Sequence, residues 1–184
     1  MTNITNNNAL ENATLAGGCF WCIQSAFSQV KGIHSAISGY MGGRSENPTY
    51  EDICTGQSGH AEVVQLSFDA KEITYQEIIE IFFTLHNPTQ LNRQGHDIGS
   101  QYRSAIFYHN ESQQHVAEKS INEMSTAKTF EQAIVTQVCP AEIFYSGEEY
   151  HQDYFNNNPQ NQYCQAVVSP KLAKFRQTFI DKLK

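Results

Sequence analysis

Five of the 184 residues are cysteines, at positions 19, 22, 54, 139 and 164, and the chemistry open to this chain turns on which of them react. Cys19 is the first candidate. It follows Gly17-Gly18 at the junction between ATLAGG and CFWCIQSAFSQV, a run in which Phe20, Ile23, Phe27 and Val30 recur at helical spacing. That pattern predicts a strand, a tight glycine turn and a helix that begins at the cysteine. A helix start carries unpaired N–H groups and the positive end of the helix dipole, both of which favour an anion such as a thiolate. Lowering a thiol pKa from about 8.5 towards neutrality would equip Cys19 to attack an electrophilic sulfur. The plain alternative is a small residue buried for its apolar surface.

Cys22 lies one turn further on, and the C-x-x-C spacing could close a disulfide or bind zinc. Zinc would need two more ligands, and Cys54 and His60 in a nearby loop are the tidy candidates; we expect no metal. A dithiol–disulfide oxidoreductase of the thioredoxin kind also sets this motif at a helix start after a strand, although Phe20-Trp21 between the cysteines is bulkier than that pattern expects. An odd number of irregularly spaced cysteines does not make the paired framework of a small secreted scaffold, so free or catalytic thiols in a reducing cytoplasm are expected. Cys54 and Cys139 have no cysteine neighbour and are assigned to packing. Apart from His60, which could orient its loop, the histidines carry no signal of their own.

The elements that must hold these thiols follow from periodicity. Residues 1–12, rich in Asn and Thr, read as a loose arm, and 13–184 as one domain. GIHSAISGYMGG reads as a strand and GRSENPTYEDICTGQSGH as an irregular, functional loop. AEVVQLSFD alternates, with Val64, Leu66 and Phe68 on one face of a half-buried strand. Thr74 with Glu77 has capping-box spacing and opens a helix whose apolar stripe is Ile78, Ile81, Phe82 and Leu85. A second loop, NPTQLNRQGHDIGSQY, leads to the strand RSAIFYH, and Asn110 caps a polar helix. QAIVTQV reads as a strand, 148–155 as a short helix, NNNPQNQY as a loop reaching Cys164, and Ser169-Pro170 as the start of a last helix. Interspersed strands and helices with few hairpin turns predict an α+β fold, a ferredoxin-like two-layer core with a mixed or antiparallel sheet.

Charge narrows the partners. The formal net charge of −7 gives no general attraction to nucleic acid or to acidic lipid head groups. MTNITNNNALEN has no basic region followed by an apolar run, and no stretch is long and apolar enough to span a membrane. A cytoplasmic monomer is expected.

Five blocks in order, GCFWC, GYMGG, NPTYEDICTGQSGHAE, GHDIGSQYRS and YHQDYF, with a C-terminal cysteine beyond, make the chain resemble the peptide methionine sulfoxide reductase A family over nearly its whole length. The resemblance implies reduction of the S epimer of free or protein-bound methionine sulfoxide, with Cys19 as nucleophile. It implies that Phe20 and Trp21 wall the methyl site, that Glu62 protonates the sulfoxide oxygen, and that Tyr50 and Tyr102 aim phenols at that oxygen. Asp97 then lines the pocket and Cys164 is the resolving cysteine, reopened by thioredoxin, or by dithiothreitol in vitro, with no bound cofactor. The chemistry fits these residue types. A sulfoxide sulfur becomes electrophilic once its oxygen is protonated or strongly hydrogen-bonded, and a pocket that raises a carboxyl pKa of about 4.3 keeps Glu62 a donor. Attack leaves sulfenic acid on Cys19, which condenses with a nearby thiol.

Each of these residues also has a plainer reading. Glu62 alone would be a surface carboxylate, Tyr50 and Tyr102 core aromatics, Asp97 a loop cap, and Phe20 and Trp21 helix packing. The chain departs from the pattern at Gln24, at Asn87 and at Cys22, which stands where glycine is common. Cys22 is therefore the alternative resolving residue, though adjacent turns of one helix strain a disulfide.

Overall fold

The structure, a computed structural model, describes residues 9–184. The expectation of a loose arm falls largely on residues 1–8, outside the described part. Its last two residues are corrected, because β1 (Glu11–Ala16) already pairs Glu11 with Phe68 and Asn12 with Ser67. Backbone hydrogen bonds need no apolar side chain, so the strand starts two residues before the hydrophobic signal.

The central elements are β1, α1 (Phe20–Phe27), β2 (Ile33–Met41), then, after the short α2 (Tyr50–Cys54), β3 (Ala61–Phe68) and α3 (Tyr75–Leu85). A two-stranded hairpin, β4 (Arg93–Gln94) and β5 (Asp97–Ile98), and a 3-10 turn (Ser100–Tyr102) precede β6 (Ala105–Tyr108). Strand order β6-β1-β3-β2 with antiparallel neighbours and two crossing helices is the ferredoxin-like arrangement. After α4 (Glu111–Thr126), β7 (Gln137–Pro140) adds a parallel strand beside β6, and β8 (Tyr145–Ser146) pairs with β2. The sheet is therefore mixed, as the pattern of elements predicted. α5 (Tyr154–Asn157), a π-helical turn (Cys164–Val168) and α6 (Ser169–Thr178) close the chain against α1 and α3.

Burial explains the layers. The even positions of β3 (Val64, Leu66 and Phe68) face the helices and pack with Leu15, Phe27, Phe82 and Phe175 in the main core. Glu62 has the same parity and is the polar member of that stripe. Ala61 and Val63 turn to the opposite face, where Ala16, Met41, Ala105 and Phe107 form a smaller cluster. A strand expected to be half-buried is thus covered on both sides at its start.

Other departures are local. The loop around NPTYEDIC contains α2, capped reciprocally by Thr49 and Asp52. QAIVTQV is extended in the sheet from Gln137 onward, and its earlier part is tied by the Val135 N–H to the Pro88 carbonyl. Residues 148–155 divide into a 3-10 turn (Glu149–His151) and the start of α5. Cys164, expected at the end of a loop, lies within a helical turn and is fully buried. Among the described residues no helix is long and apolar enough to cross a membrane.

Thr74 caps α3 as expected, its hydroxyl accepting from Glu77 N–H while the Glu77 carboxylate accepts from Thr74 N–H. Thr74→Ala should cost about 1 kcal/mol in urea denaturation and leave the chemistry at Cys19 unchanged; an unaltered midpoint would show that α3 does not depend on its cap.

Candidate active site

The turn that delivers Cys19 tolerates little else. Gly18 has φ +86, and a Cβ there would lie 2.7 Å from Gln94 Cγ, so glycine is required on both conformational and steric grounds. Gln94 in turn exchanges two hydrogen bonds with the backbone of Asn87. The departure from pattern at Asn87 leaves this clasp intact, since main-chain atoms make it. Cys19 is the N-cap of α1, with extended backbone (φ −59, ψ 124), and its side chain is free of capping duty.

Seven of the residues singled out in the sequence meet around one cavity of about 260 Å³: Cys19, Phe20, Trp21, Tyr50, Glu62, Asp97 and Tyr102, joined by Asn161 and Tyr163. β3 aims Glu62 at the start of α1, where its Oε2 accepts the Phe20 N–H at 3.1 Å. Tyr50 is the first residue of α2, Asp97 stands on the β4–β5 hairpin and Tyr102 on the 3-10 turn. A larger depression of about 660 Å³, lined by Met124, Phe130 and Ile134, contains neither cysteine nor histidine, so volume is no guide to the chemistry here.

Burial dominates the electrostatics. Glu62 is 2% exposed, and its pKa is pushed up to about 8, chiefly because the carboxylate would lose its hydration; the Phe20 N–H opposes this and Asp97 adds to it. Glu62 is therefore a neutral acid at pH 7, as its proposed chemistry demands. Cys19 departs from expectation. Its pKa is raised well above the usual thiol range, by burial first, then by Glu62 and Cys22, against the Trp21 N–H and the Tyr163 phenol. The helix end does help the anion, but lost hydration outweighs it. Burial also raises the phenols of Tyr50 and Tyr102, which remain hydrogen-bond donors at neutral pH.

The aromatic wall is built by residues that sequence reasoning passed over. Trp21 stacks on Tyr154 with ring centroids 3.7 Å apart and 5° between planes, and its Nε1–H donates to His151 Nδ1 at 3.2 Å. His151 is 1% exposed and packs on Phe20 and Tyr50 at 5.1 and 4.4 Å, with a pKa lowered by burial. Both His151 and Tyr154 lie in the YHQDYF block, which was the one available signal. Gln24 anchors that block: it bonds Ala36 O, Ser38 Oγ, Gln152 Oε1 and Asp153 N–H, a neutral four-way tie where an acid would lack donors.

The other cysteines differ in depth, and among those assigned to packing only Cys54 departs from expectation. All five are free thiols. Cys22 sits inward on α1 with its pKa pushed up to about 11 by burial, and neither it nor Cys164 lines the cavity. Cys54, assigned to packing, is exposed at the end of α2. Cys139 is half-buried against the smaller core cluster, as a packing residue would be. His60, a tidy zinc candidate beside Cys54, instead uses Nδ1 to accept from Gly43 N–H and places Nε2 on the Ser45 carbonyl. It orients its loop.

Comparison with known proteins places this geometry. The model of the peptide methionine sulfoxide reductase family matches residues 11–183. The chain belongs to that family. A peptide methionine sulfoxide reductase MsrA from Saccharolobus solfataricus is 52% identical over 175 residues, covering 95% of this chain and 98% of its own. Among solved structures, Mxr1 from Saccharomyces cerevisiae in its reduced form superposes with a TM-score of 0.77 at 33% identity, over 84% of this chain and 89% of that one. Mxr1 in complex with Trx2 superposes with a TM-score of 0.55 at 25% identity, over 81% of this chain and 87% of that one. This peptide methionine sulfoxide reductase is an oxidoreductase.

A buried, neutral Glu62 has a stability signature. Below the ordinary carboxyl range folded and unfolded chains both hold its proton, and above about pH 8 neither does. Between these limits the unfolded chain releases a proton that the folded one keeps, so stability falls as pH rises, by about 1.4 kcal/mol per unit. Glu62→Gln should remove this slope and be the more stable protein at pH 8 in urea denaturation, while losing reductase activity. Parallel stability profiles for the two proteins would contradict the assignment.

Proposed function

We propose that residues 13–184 act as one catalytic domain reducing the S epimer of methionine sulfoxide, free or in oxidised proteins, by attack of Cys19 on the sulfoxide sulfur. The observation that carries this reading is Glu62, buried and protonated, hydrogen-bonded to the backbone one residue from Cys19 and facing the same cavity. Such a carboxyl hands its proton to the sulfoxide oxygen as negative charge develops there. Tyr50 and Tyr102 donate to the same oxygen, and Phe20 and Trp21 receive the methyl group, with Trp21 held flat by Tyr154 and His151. Asp97 lines the polar side of the cavity.

Oxygen transfer leaves methionine and a sulfenic acid on Cys19, which a second thiol displaces to give a disulfide and water. Cys164 fills this role. Its turn is π-helical, a rare geometry that occurs frequently at functional sites. Cys22, at the third helical position after the N-cap cysteine, is the alternative. A thioredoxin reopens the disulfide, a reading supported by the complex of the relative Mxr1 with Trx2, and dithiothreitol substitutes in vitro. The protein works without a bound cofactor or metal, as a monomer in the cytoplasm, and its acidic surface offers nothing to nucleic acid.

Purified protein given each epimer with dithiothreitol should form methionine from the S form, and turnover of neither would refute the reading. Cys19→Ser should abolish reduction. Cys164→Ser should release one methionine per chain and then stall with thioredoxin; sustained thioredoxin-driven turnover in that variant would transfer the resolving role to Cys22.

A further inference from the structure

Attack by Cys19 requires that its proton go somewhere, and the cavity restricts the choice. At rest the half-buried Cys19 sulfur, its pKa raised, is a thiol. Glu62 already holds a proton, so it is an acid and not an acceptor. Tyr50 and Tyr102 are phenols whose ionisation burial opposes. His151 packs on Phe20 and Trp21, but its Nδ1 is occupied by the Trp21 N–H and its Nε2 faces Glu148 at 3.7 Å. Cys22, on the next turn, is a protonated thiol, and Lys171 acts on Cys22 as a cation with no capacity to accept.

One acceptor remains. Asp97 Oδ2 accepts the Tyr163 hydroxyl at 2.6 Å, a short bond of the charge-assisted kind. The same phenol favours the Cys19 anion, and Cys19, Asp97 and Tyr163 line one cavity. Tyr163 is held there by its ring, which meets Trp21 edge-on with centroids 5.8 Å apart.

We propose that Tyr163 and Asp97 form the path by which the Cys19 proton leaves as the sulfur attacks. The inference rests on the reductase reading above and adds two residues to its first step. As Cys19 Sγ bonds the sulfoxide sulfur, its proton passes to the Tyr163 oxygen while the Tyr163 proton passes to Asp97 Oδ2. In the same step Glu62 gives its proton to the sulfoxide oxygen. The sulfur–oxygen bond then breaks as the hydroxyl passes to Cys19, so the sulfoxide is reduced by two electrons to a thioether and the thiol is oxidised to sulfenic acid. Asp97 ends protonated and Glu62 ionised; exchange through solvent restores both. Tyr163 immediately precedes Cys164, so travel of Cys164 towards Cys19 withdraws the relay once its step is complete.

The test is the pH profile of single-turnover methionine formation in the full chain. Wild type should be flat over the neutral range and fall above about pH 8 as Glu62 ionises. Tyr163→Phe, which keeps the ring against Trp21, should be slower by about 10²-fold at pH 7, within the usual range for a lost general base. Its rate should climb about tenfold per pH unit up to pH 8, because solvent must then take the proton, and Asp97→Asn should behave alike. A uniform loss at every pH, which a structural role would give, overturns the relay, as does an unchanged rate in Tyr163→Phe. Wild type that forms no methionine at any pH would instead remove the reductase reading beneath it.

Discussion

A buried carboxyl group and a half-buried thiol, facing one small cavity, impose the constraint on which the rest of this structure depends. Glu62 occupies the one polar place in an apolar stripe, and β3 is covered on both faces at that point, so ionisation would cost the carboxylate most of its hydration. Keeping the proton is the cheaper state. Lost hydration acts on Cys19 in the same direction, and the Trp21 N–H at the helix start offsets it only in part. A site in which both groups hold protons at rest is poised rather than charged, and charge has to move as the substrate sulfur is engaged.

Much of the surrounding architecture keeps the walls of that cavity oriented. The stack of Trp21 on Tyr154 and the bond from Trp21 to His151 fix an indole that would otherwise rotate with the helix surface. Gln24 and Gln152 bind the 147–153 segment to β2, and Gln94 binds the Asn87 loop beneath Gly18. These ties are neutral amides. A charged group in the same places would alter the field felt by Glu62, so the polar framework supports the loops without disturbing the acid.

How much of this was legible in the sequence depended on whether a feature is set locally. The stripe of α3 and its Thr74–Glu77 cap, the alternation of β3 and the glycine turn before Cys19 are all governed by neighbours within a few residues, and they were read correctly. β8, the late start of β7 and the helical turn at Cys164 are set by pairing and packing with distant chain, which a polar run such as NNNPQNQY does not advertise. The seven cavity residues were recognisable through their motifs. His151 and Tyr163 were not, because each acts on a partner far along the chain, 130 residues away for Trp21 and 66 for Asp97. The direction of the Cys19 shift was missed for a related reason: a helix terminus is visible in sequence, whereas the depth at which it is buried is not.

The most direct test is the titration of the Glu62 carboxyl itself, followed by carbon NMR in protein labelled at glutamate side chains, with Glu62→Gln to assign the resonance. The Glu62 midpoint should lie near pH 8. A midpoint in the ordinary carboxyl range near 4.3 would mean that water reaches Glu62, that it is ionised at neutral pH, and that it cannot be the acid this site requires.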